Sequence, residues 1–366
     1  MARKTPRLIG VDLARILAAW MVMAFHLAYW SWAGAGGTIY SILQGAYAFP
    51  ELRLFSSFGW VGVQVFFVIS GLVIACSAER ATALDFARRR FLRLFPGAVI
   101  SATLTLAVAL AIEWKPAWEL AERYVRSILF VPFGPWMDGA YWTLGIEVSF
   151  YMLIGIFIFA RRHDRIEHAA LAVGVCSAAY LFATHFPDSF ANRKAELLLL
   201  QHGVYFALGC TIWHGFQRGW TWPRVLSGAS LGIVCFLGIV WLPPSGLLAA
   251  VVWTTVTAAL VLSLHYDDSL ATGLRRVVPA IKMLSLATYP LYLIHTVVGA
   301  SVMLLLAKLE LNRFLALFSV CALLVATSVL ITLGPERLLR NILAWIPIPW
   351  TVSRAASSAR IGRRAS

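Results

Sequence analysis

The sequence predicts an all-α polytopic membrane protein with about ten transmembrane helices and both termini in the cytoplasm. Three observations support this prediction. Of the 366 residues, 60% are hydrophobic and only 13% are charged, and the mean hydropathy is +0.77, a composition typical of membrane proteins. Apolar runs of about twenty residues, each long enough to cross a bilayer, recur along the chain. Lysine and arginine are also distributed unequally between alternate loops.

The apolar runs define ten predicted spans in one membrane domain. They are residues 9–31, 58–78, 97–113, 142–160, 169–186, 196–213, 225–242, 246–265, 284–306 and 312–334. No long internal repeat is visible among them, so we expect one domain over residues 1–340. The following residues, 341–366, are basic, and we expect them to form a short cytoplasmic tail that is partly disordered.

Positive charge sets the predicted orientation. With the N-terminus inside, the predicted inner segments hold 22 Lys and Arg residues and the outer segments hold 8. Because short cytoplasmic loops are enriched in Lys and Arg, this difference favours both termini inside. The same rule accounts for the formal net charge of +14, so we expect no nucleic-acid partner.

The first predicted span carries three ionisable residues, Asp12, Arg15 and His26. Such groups are costly inside a bilayer and usually face a protein interior. Arg15 and His26 are eleven positions apart, which returns to nearly the same helix face after a rise of roughly 16 Å. We expect Arg15 to meet a phosphate or carboxylate from the cytoplasm, and His26 to act as a general base or transient acyl acceptor. The alternatives are a local Asp12–Arg15 ion pair and a structural histidine.

Glu147, near the start of the fourth predicted span, is the partner that we expect for His26. This span runs from outside to inside in the predicted orientation, so Glu147 lies near the outer face, as His26 does. A carboxylate that orients an imidazole is a familiar arrangement in catalysis. We expect His295, in the ninth predicted span, in the same cavity, with a structural role as the alternative.

Two other segments are candidates for substrate contact. Arg90 and Arg93, three positions apart before the third predicted span, can grip phosphates through planar, bidentate contacts, besides anchoring the topology. Ser70 and Gly71 interrupt a bulky apolar run. That interruption allows either a close approach of substrate or close packing of two helices.

The predicted outer loops, 32–57 and 114–141, contain aromatic and acidic residues suited to holding a sugar. They are Tyr47, Glu51, Trp114, Trp118, Tyr124, Trp136 and Asp138. Ordinary interfacial packing is the alternative. The sequence contains no P-loop, no HExxH and no GxSxG motif, and we expect no metal.

Five motifs in order resemble those of the acyltransferase-3 family of bacterial integral membrane O-acyltransferases. They are the D-x-x-R start with Arg15 and then His26, FFVISG at 66–71, RRRFLRLFP at 88–96, WTLGIEVSFY at 142–151 and LSLATYPLYLIH at 284–295. The resemblance covers residues 8–334. It implies a multi-pass protein of the bacterial inner membrane that transfers an acyl group, often acetyl from acetyl-CoA, to a carbohydrate or glycolipid.

Together, the residues and the resemblance assign roles to individual positions. They place His26 and Glu147 in catalysis. They place acyl-CoA binding at Arg15, Arg90, Arg93, Ser70 and Gly71. They place substrate binding at Asp12, Trp142, Tyr151 and His295. Two departures from the family are the Leu-Ala pair between Asp12 and Arg15, where Gly-Leu is frequent, and Val148, where a second acid is frequent.

Two questions stay open at this point. Transfer can be direct, with His26 as the base, or can pass through an acyl-histidine. A transporter or flippase that uses Arg15, His26 and Glu147 as a relay is the alternative from another class, and it predicts transport without consumption of acyl-CoA.

Overall fold

The computed structural model describes residues 8–34, 36–79, 81–184 and 192–345. The structure is 82% helical, and no strand occurs in these ranges. The predicted all-α polytopic class is therefore confirmed. Most of the predicted tail, from residue 346 onward, lies outside the described residues, while residues 341–345 end the last helix.

The described part of the chain contains thirteen helices of eleven or more residues. They are α1 (Ile9–Ala24), α2 (Gly62–Ala78), α3 (Ala83–Ala111), α4 (Ala117–Ile128), α5 (Trp142–Phe159), α6 (Ile166–Ala183), α7 (Gly203–Arg218), α8 (Trp222–Val240), α9 (Gly246–His265), α10 (Val278–Ile294), α11 (Val297–Lys308), α12 (Arg313–Leu333) and α13 (Pro335–Trp345).

Eight helical segments in the described ranges are long and apolar enough to cross a membrane. A ninth results if the helix Asp267–Gly273 and α10, which are bent by 114° to one another, form one span. The prediction of ten spans differs from the structure at two places. The run 196–213 yields the 16-residue α7, and the run 284–306 breaks between α10 and α11.

The helix α7 is enclosed by protein. All of its residues from Gly203 to Gly215 are buried. It packs against α2, where a Cβ atom on Gly71 would lie 2.1 Å from the Phe206 carbonyl oxygen, and one on Gly209 would lie 2.0 Å from the Val68 carbonyl oxygen. Backbone contact through small residues is a common way to pack helices in membranes.

The helix α3 begins at Ala83, well before the predicted start at residue 97. Thr82 caps it, because its hydroxyl accepts a hydrogen bond from the Asp85 backbone N–H at 3.1 Å, which satisfies one of the free donors at a helix start. Arg90 and Arg93 are therefore on a helix rather than in a loop. Three positions apart on one helix, they share a face.

The helix α1 packs against both α2 and α10. Its α-helical part ends at Ala24 and continues as a π-helical turn over Phe25–Trp30. Arg15 lines a cavity together with Ser70 of α2, and His26 contacts His295, the residue that follows α10.

Candidate active site

Two cavities lie at successive levels along α1, and Val63 lines both. The first, which we call the basic cavity, has a volume of about 100 Å³ and is lined by Arg15, Arg90 and Arg93. The second, which we call the aromatic cavity, has a volume of about 440 Å³. Four tryptophans and His26 line it. The tryptophans are Trp30, Trp60, Trp136 and Trp142.

The arginines of the basic cavity have unused hydrogen-bonding capacity. The Arg90 guanidinium carbon lies 5.7 Å from the centre of the Tyr151 ring, and that of Arg93 lies 5.4 Å from the Tyr289 ring. Arg90 Nε and Arg93 Nη1 are buried without a hydrogen-bond partner. A buried donor without a partner is costly. Cations held on aromatic faces, with donors left free beside a cavity, form a site for an anion.

Glu147 lies in the basic cavity and not beside His26. Ser70 Oγ donates a hydrogen bond to Glu147 Oε1 at 3.0 Å, and the Tyr151 hydroxyl donates to the same oxygen. The predicted contact between Glu147 and His26 is therefore wrong. The reason is the level at which α5 starts: Trp142, its first residue, lines the aromatic cavity, and Glu147 lies five residues further, roughly 7.5 Å along the axis.

His26 lies in the π-helical turn and lines the aromatic cavity. Its Nδ1 atom is 3.0 Å from the Val22 carbonyl oxygen and 3.0 Å from His295 Nε2. A carbonyl oxygen only accepts, so Nδ1 is the protonated nitrogen in this arrangement. In the neutral imidazole, Nε2 then carries the lone pair. The turn thus presents an unprotonated nitrogen while the other nitrogen is held by two acceptors.

His295 contacts His26 and is not among the residues that line the aromatic cavity. Its side chain is only 1% exposed, and its Nδ1 is 2.7 Å from the Tyr292 carbonyl oxygen. The same argument places the proton on Nδ1, so Nε2 accepts from His26 Nδ1. We expected His295 to contact substrate, and the structure instead places it one layer behind His26, in the position that we had expected for Glu147.

Asp138 accepts hydrogen bonds from the starts of two helical segments near His26 and His295. It is fully buried. Its Oδ1 accepts from the Ala140 N–H at 2.9 Å, just before α5, and its Oδ2 accepts from the Val297 N–H at 3.1 Å, at the start of α11. A carboxylate is favourable at a helix N-terminus. Through these contacts, Asp138 fixes both the level of α5 and the chain break that follows His295.

An ion pair completes the aromatic cavity. Arg193 Nη1 lies 2.7 Å from Glu196 Oε2, and the exposed fractions of the two side chains are 17% and 3%. Both residues belong to the short helix Arg193–Leu197. Burial raises the pKa of Glu196, and the hydrogen bond and positive charge of Arg193 oppose that rise. Gln64 is a further polar residue in the wall.

A single layer of side chains separates the two cavities. Trp142 lines the aromatic cavity, and the next residue, Thr143, lines the basic cavity. The rings of Phe66 and Tyr292 lie 5.8 Å apart in the wall of the basic cavity. Val63 lines both cavities and therefore belongs to this layer.

Other predicted site residues lie outside the positions that we expected. Gly71 faces the Phe206 backbone, so helix packing explains it. Asp12 accepts a hydrogen bond from Ser285 Oγ at 2.7 Å and lies 3.9 Å from Arg15 Nη1. It therefore pairs with Arg15 and does not line either of the two cavities. Tyr151, expected at the acceptor, lies in the basic cavity.

The outer-loop residues divide between the two interpretations that we weighed. Trp136 lines the aromatic cavity. By contrast, the Tyr47 hydroxyl donates to the Leu311 carbonyl oxygen at 2.7 Å, and Glu51 pairs with Arg313 at 2.7 Å. No group of three or more His, Cys, Asp or Glu residues suited to a metal occurs in the described part of the chain.

Sequence reasoning missed several residues of the aromatic cavity, among them Trp30, Trp60, Arg193 and Glu196, and it noted Gln64 only as a further polar group in its span. The available signal was Glu196 itself: an acid at the edge of a predicted span needs a partner, and an arginine three positions earlier supplies one. Trp60 and Gln64 lie at the start of an apolar run, where an interfacial position is the ordinary interpretation.

Comparison with known proteins agrees with the expected resemblance. The family model described as "Acyltransferase domain" matches residues 8–333. The exopolysaccharide production protein ExoZ of Rhizobium meliloti (strain 1021) is 27% identical over 252 residues, which is 65% of this chain and 76% of that protein. The O-acetyl transferase of Shigella phage Sf6 is 29% identical over 233 residues, or 58% of this chain and 64% of that protein.

A third relative covers less of the chain. Nodulation protein 10 of Rhizobium leguminosarum bv. viciae is 26% identical over 197 residues, which is 48% of this chain and 51% of that protein. No solved structure matches the chain.

Proposed function

Because the chain belongs to the acyltransferase-3 family of membrane acyltransferases, whose model covers residues 8–333, we propose that it moves an acyl group, acetyl in the simplest case, from acyl-CoA to a hydroxyl of a carbohydrate. The two cavities suit the two substrates. In this proposal the donor enters from the cytoplasm through the basic cavity, and the acceptor occupies the aromatic cavity from the other side of a bacterial inner membrane.

The basic cavity suits the phosphates of acyl-CoA. Arg90 Nε and Arg93 Nη1 are buried donors that lack partners, and Arg15 adds a third positive charge to the same wall. Planar guanidinium groups bind phosphate oxygens through paired hydrogen bonds. The pantetheine arm would then extend through the layer around Val63, so that the thioester reaches His26. Arg15 and His26 are separated along α1 by roughly 16 Å, a distance of the right order for that arm.

The observation that carries the proposal is the position of His26, which lines the aromatic cavity while its Nδ1 lies 3.0 Å from both the Val22 carbonyl oxygen and His295 Nε2. That arrangement leaves Nε2 as the basic nitrogen. His26 would remove the proton from an acceptor hydroxyl as that oxygen attacks the thioester carbonyl carbon. The carbon–sulfur bond then breaks, and the departing CoA thiolate takes the proton from the imidazolium. If the acyl group is transferred through Nε2 instead, Nε2 first attacks the thioester carbon and the carbon–sulfur bond breaks to release the CoA thiolate. The acceptor oxygen then attacks the acyl carbon, the carbon–nitrogen bond breaks to restore neutral His26, and the hydroxyl proton passes to the CoA thiolate. His295 would hold the imidazole ring in either route.

The aromatic cavity suits a sugar. Four tryptophan rings line it, together with a buried ion pair and Gln64, and flat aromatic faces beside fixed polar groups suit a ring that has apolar faces and polar edges. Relatives named for exopolysaccharide production and for O-acetyl transfer favour a hydroxyl of a polysaccharide or glycolipid as the acceptor. The excess of Lys and Arg on the predicted inner loops supports the orientation.

The test is release of free CoA from acetyl-CoA by purified protein in nanodiscs, with membrane extract as the acceptor source. We expect His26→Ala to reduce acceptor-dependent release by about 10²- to 10⁴-fold, the usual contribution of a general base. His265→Ala is the matched control, because His265 is an exposed histidine at the end of α9. Equal release by wild type and His26→Ala would contradict the role of His26. Transport of the acceptor without CoA release would favour a transporter.

A further inference from the structure

The formal charges of the described residues that line the aromatic cavity sum to zero. Arg193 and Glu196 are the charged side chains among its described lining residues, and His26 is neutral when it acts as a base. The two charges are joined by a salt bridge of 2.7 Å. A ligand in this cavity therefore meets a fixed dipole rather than a net charge.

The surrounding chain holds the ion pair rigidly. Arg193 Nε donates to the Pro132 carbonyl oxygen at 2.6 Å, and its guanidinium carbon lies 5.2 Å from the centre of the Trp136 ring. Gly145 leaves the space that the guanidinium occupies, because a Cβ atom there would lie 2.5 Å from Arg193 Nη2. The pair cannot swing away easily to admit a ligand of either charge.

Resting on the proposed function, we propose that the acceptor sugar is uncharged and that the Arg193–Glu196 pair recognises its hydroxyl groups. A hydroxyl both donates and accepts, so adjacent hydroxyls can donate to the Glu196 carboxylate and accept from the Arg193 guanidinium. Arg193 and Glu196 both line the cavity, so a ligand there meets the guanidinium and the carboxylate side by side.

The cavity offers no unpaired charge to balance the charge of an ionised ring. The carboxylate of a uronic acid or the ammonium of an amino sugar would lose water there, while the charges of Arg193 and Glu196 already balance each other. Burying a charge without a free counter-charge is costly. The faces of the four tryptophans attract cations and not anions, so the discrimination that the ion pair adds is measured most cleanly between a neutral ring and a uronate.

The experiment compares two rings that differ only at C6, methyl β-D-glucopyranoside and methyl β-D-glucuronopyranoside. Binding to protein in nanodiscs is followed by saturation-transfer NMR, and CoA release from acetyl-CoA, with membrane extract as the acceptor source, is measured on the same samples as a readout of the transfer reaction. We expect wild type to bind the neutral ring at least about tenfold more tightly, the scale of one hydrogen bond to a charged group.

Two variants move this preference in opposite directions. Glu196→Gln leaves Arg193 unbalanced, so the preference should shift toward the uronate by about tenfold. Arg193→Gln leaves Glu196 unbalanced, so uronate binding should weaken further. Opposite shifts do not arise from a general loss of folding. Glu51→Gln is the matched control, because Glu51 forms an Arg–Glu pair of the same length outside the cavity.

Binding of neither ring, equal binding of both rings by wild type, or an unchanged preference in both variants would overturn the inference. The proposed function fails differently. If acyl-CoA is not consumed by any sample while the ring preference and its shifts persist, the cavity selects neutral sugars but the protein is not the expected acyltransferase.

Discussion

His295→Leu should slow the chemical step without weakening the binding of either substrate. The leucine removes one of the two acceptors of His26 Nδ1, the His295 Nε2 atom at 3.0 Å. The Val22 carbonyl oxygen remains as the other acceptor. When His26 gains a proton during the reaction, the lost hydrogen bond is one to a charged group, worth about 1.5–3 kcal/mol. At 1.36 kcal/mol per tenfold, kcat should fall by about 10- to 150-fold.

The assay is steady-state CoA release with each substrate varied in turn. Because His295 is 1% exposed and lies behind His26, KM for acyl-CoA and for the acceptor should stay within about twofold, as expected for an interaction made mainly in the transition state. His295→Gln, whose amide oxygen can accept from Nδ1–H, should recover part of the loss. A decrease of less than threefold in kcat, or a change in KM alone, would refute the orienting role.

Three further predictions test the donor site, the helix packing and the acceptor site. Arg93→Gln should raise KM for acyl-CoA about tenfold, because it removes a charged donor from the basic cavity. Arg89→Gln, at an exposed position on the same helix, should leave this KM unchanged. Equal effects of the two substitutions on KM would contradict a donor site in the basic cavity. Gly71→Val should abolish folded protein in size-exclusion chromatography, because even a Cβ atom meets the Phe206 carbonyl oxygen at 2.1 Å, whereas Gly155→Val has open space and should be tolerated. Burial raises the pKa of Glu196 above its ordinary 4.5, so binding of the neutral sugar should weaken as the pH falls through that raised value, and Glu196→Gln should lack this transition.

The sequence was sufficient for features set by local pattern. The polytopic class follows from apolar length, and the inward face of α1 follows from the eleven-residue spacing of Arg15 and His26, because helical periodicity is a property of the chain itself. The grouping of Arg90 with Arg93 follows in the same way. Each of these features depends on neighbours that are close along the chain.

Features set by the level of one helix relative to another could not be predicted in this way. Whether Glu147 meets His26 depends on where α5 starts, and Asp138 fixes that start through a contact with Val297 that is 159 positions away in the sequence. The burial of Glu196 likewise depends on how Arg193 contacts the Pro132 carbonyl oxygen and Gly145. In both cases the deciding contact is long-range, and hydropathy does not record it.

The separation of the two networks bears on the choice between an acyltransferase and a proton-coupled transporter. A relay needs ionisable groups in continuous contact, yet Glu147 is bound by Ser70 and Tyr151, while His26 is bound by Val22 and His295. No hydrogen bond joins the two sets within the residues that the structure describes, and Val63 lies between the cavities. Two separate hydrogen-bond networks, one on each side of the layer around Val63, suit two substrates that bind on opposite sides and react with each other. The arrangement thus favours the proposed group transfer over a proton relay between Glu147 and His26.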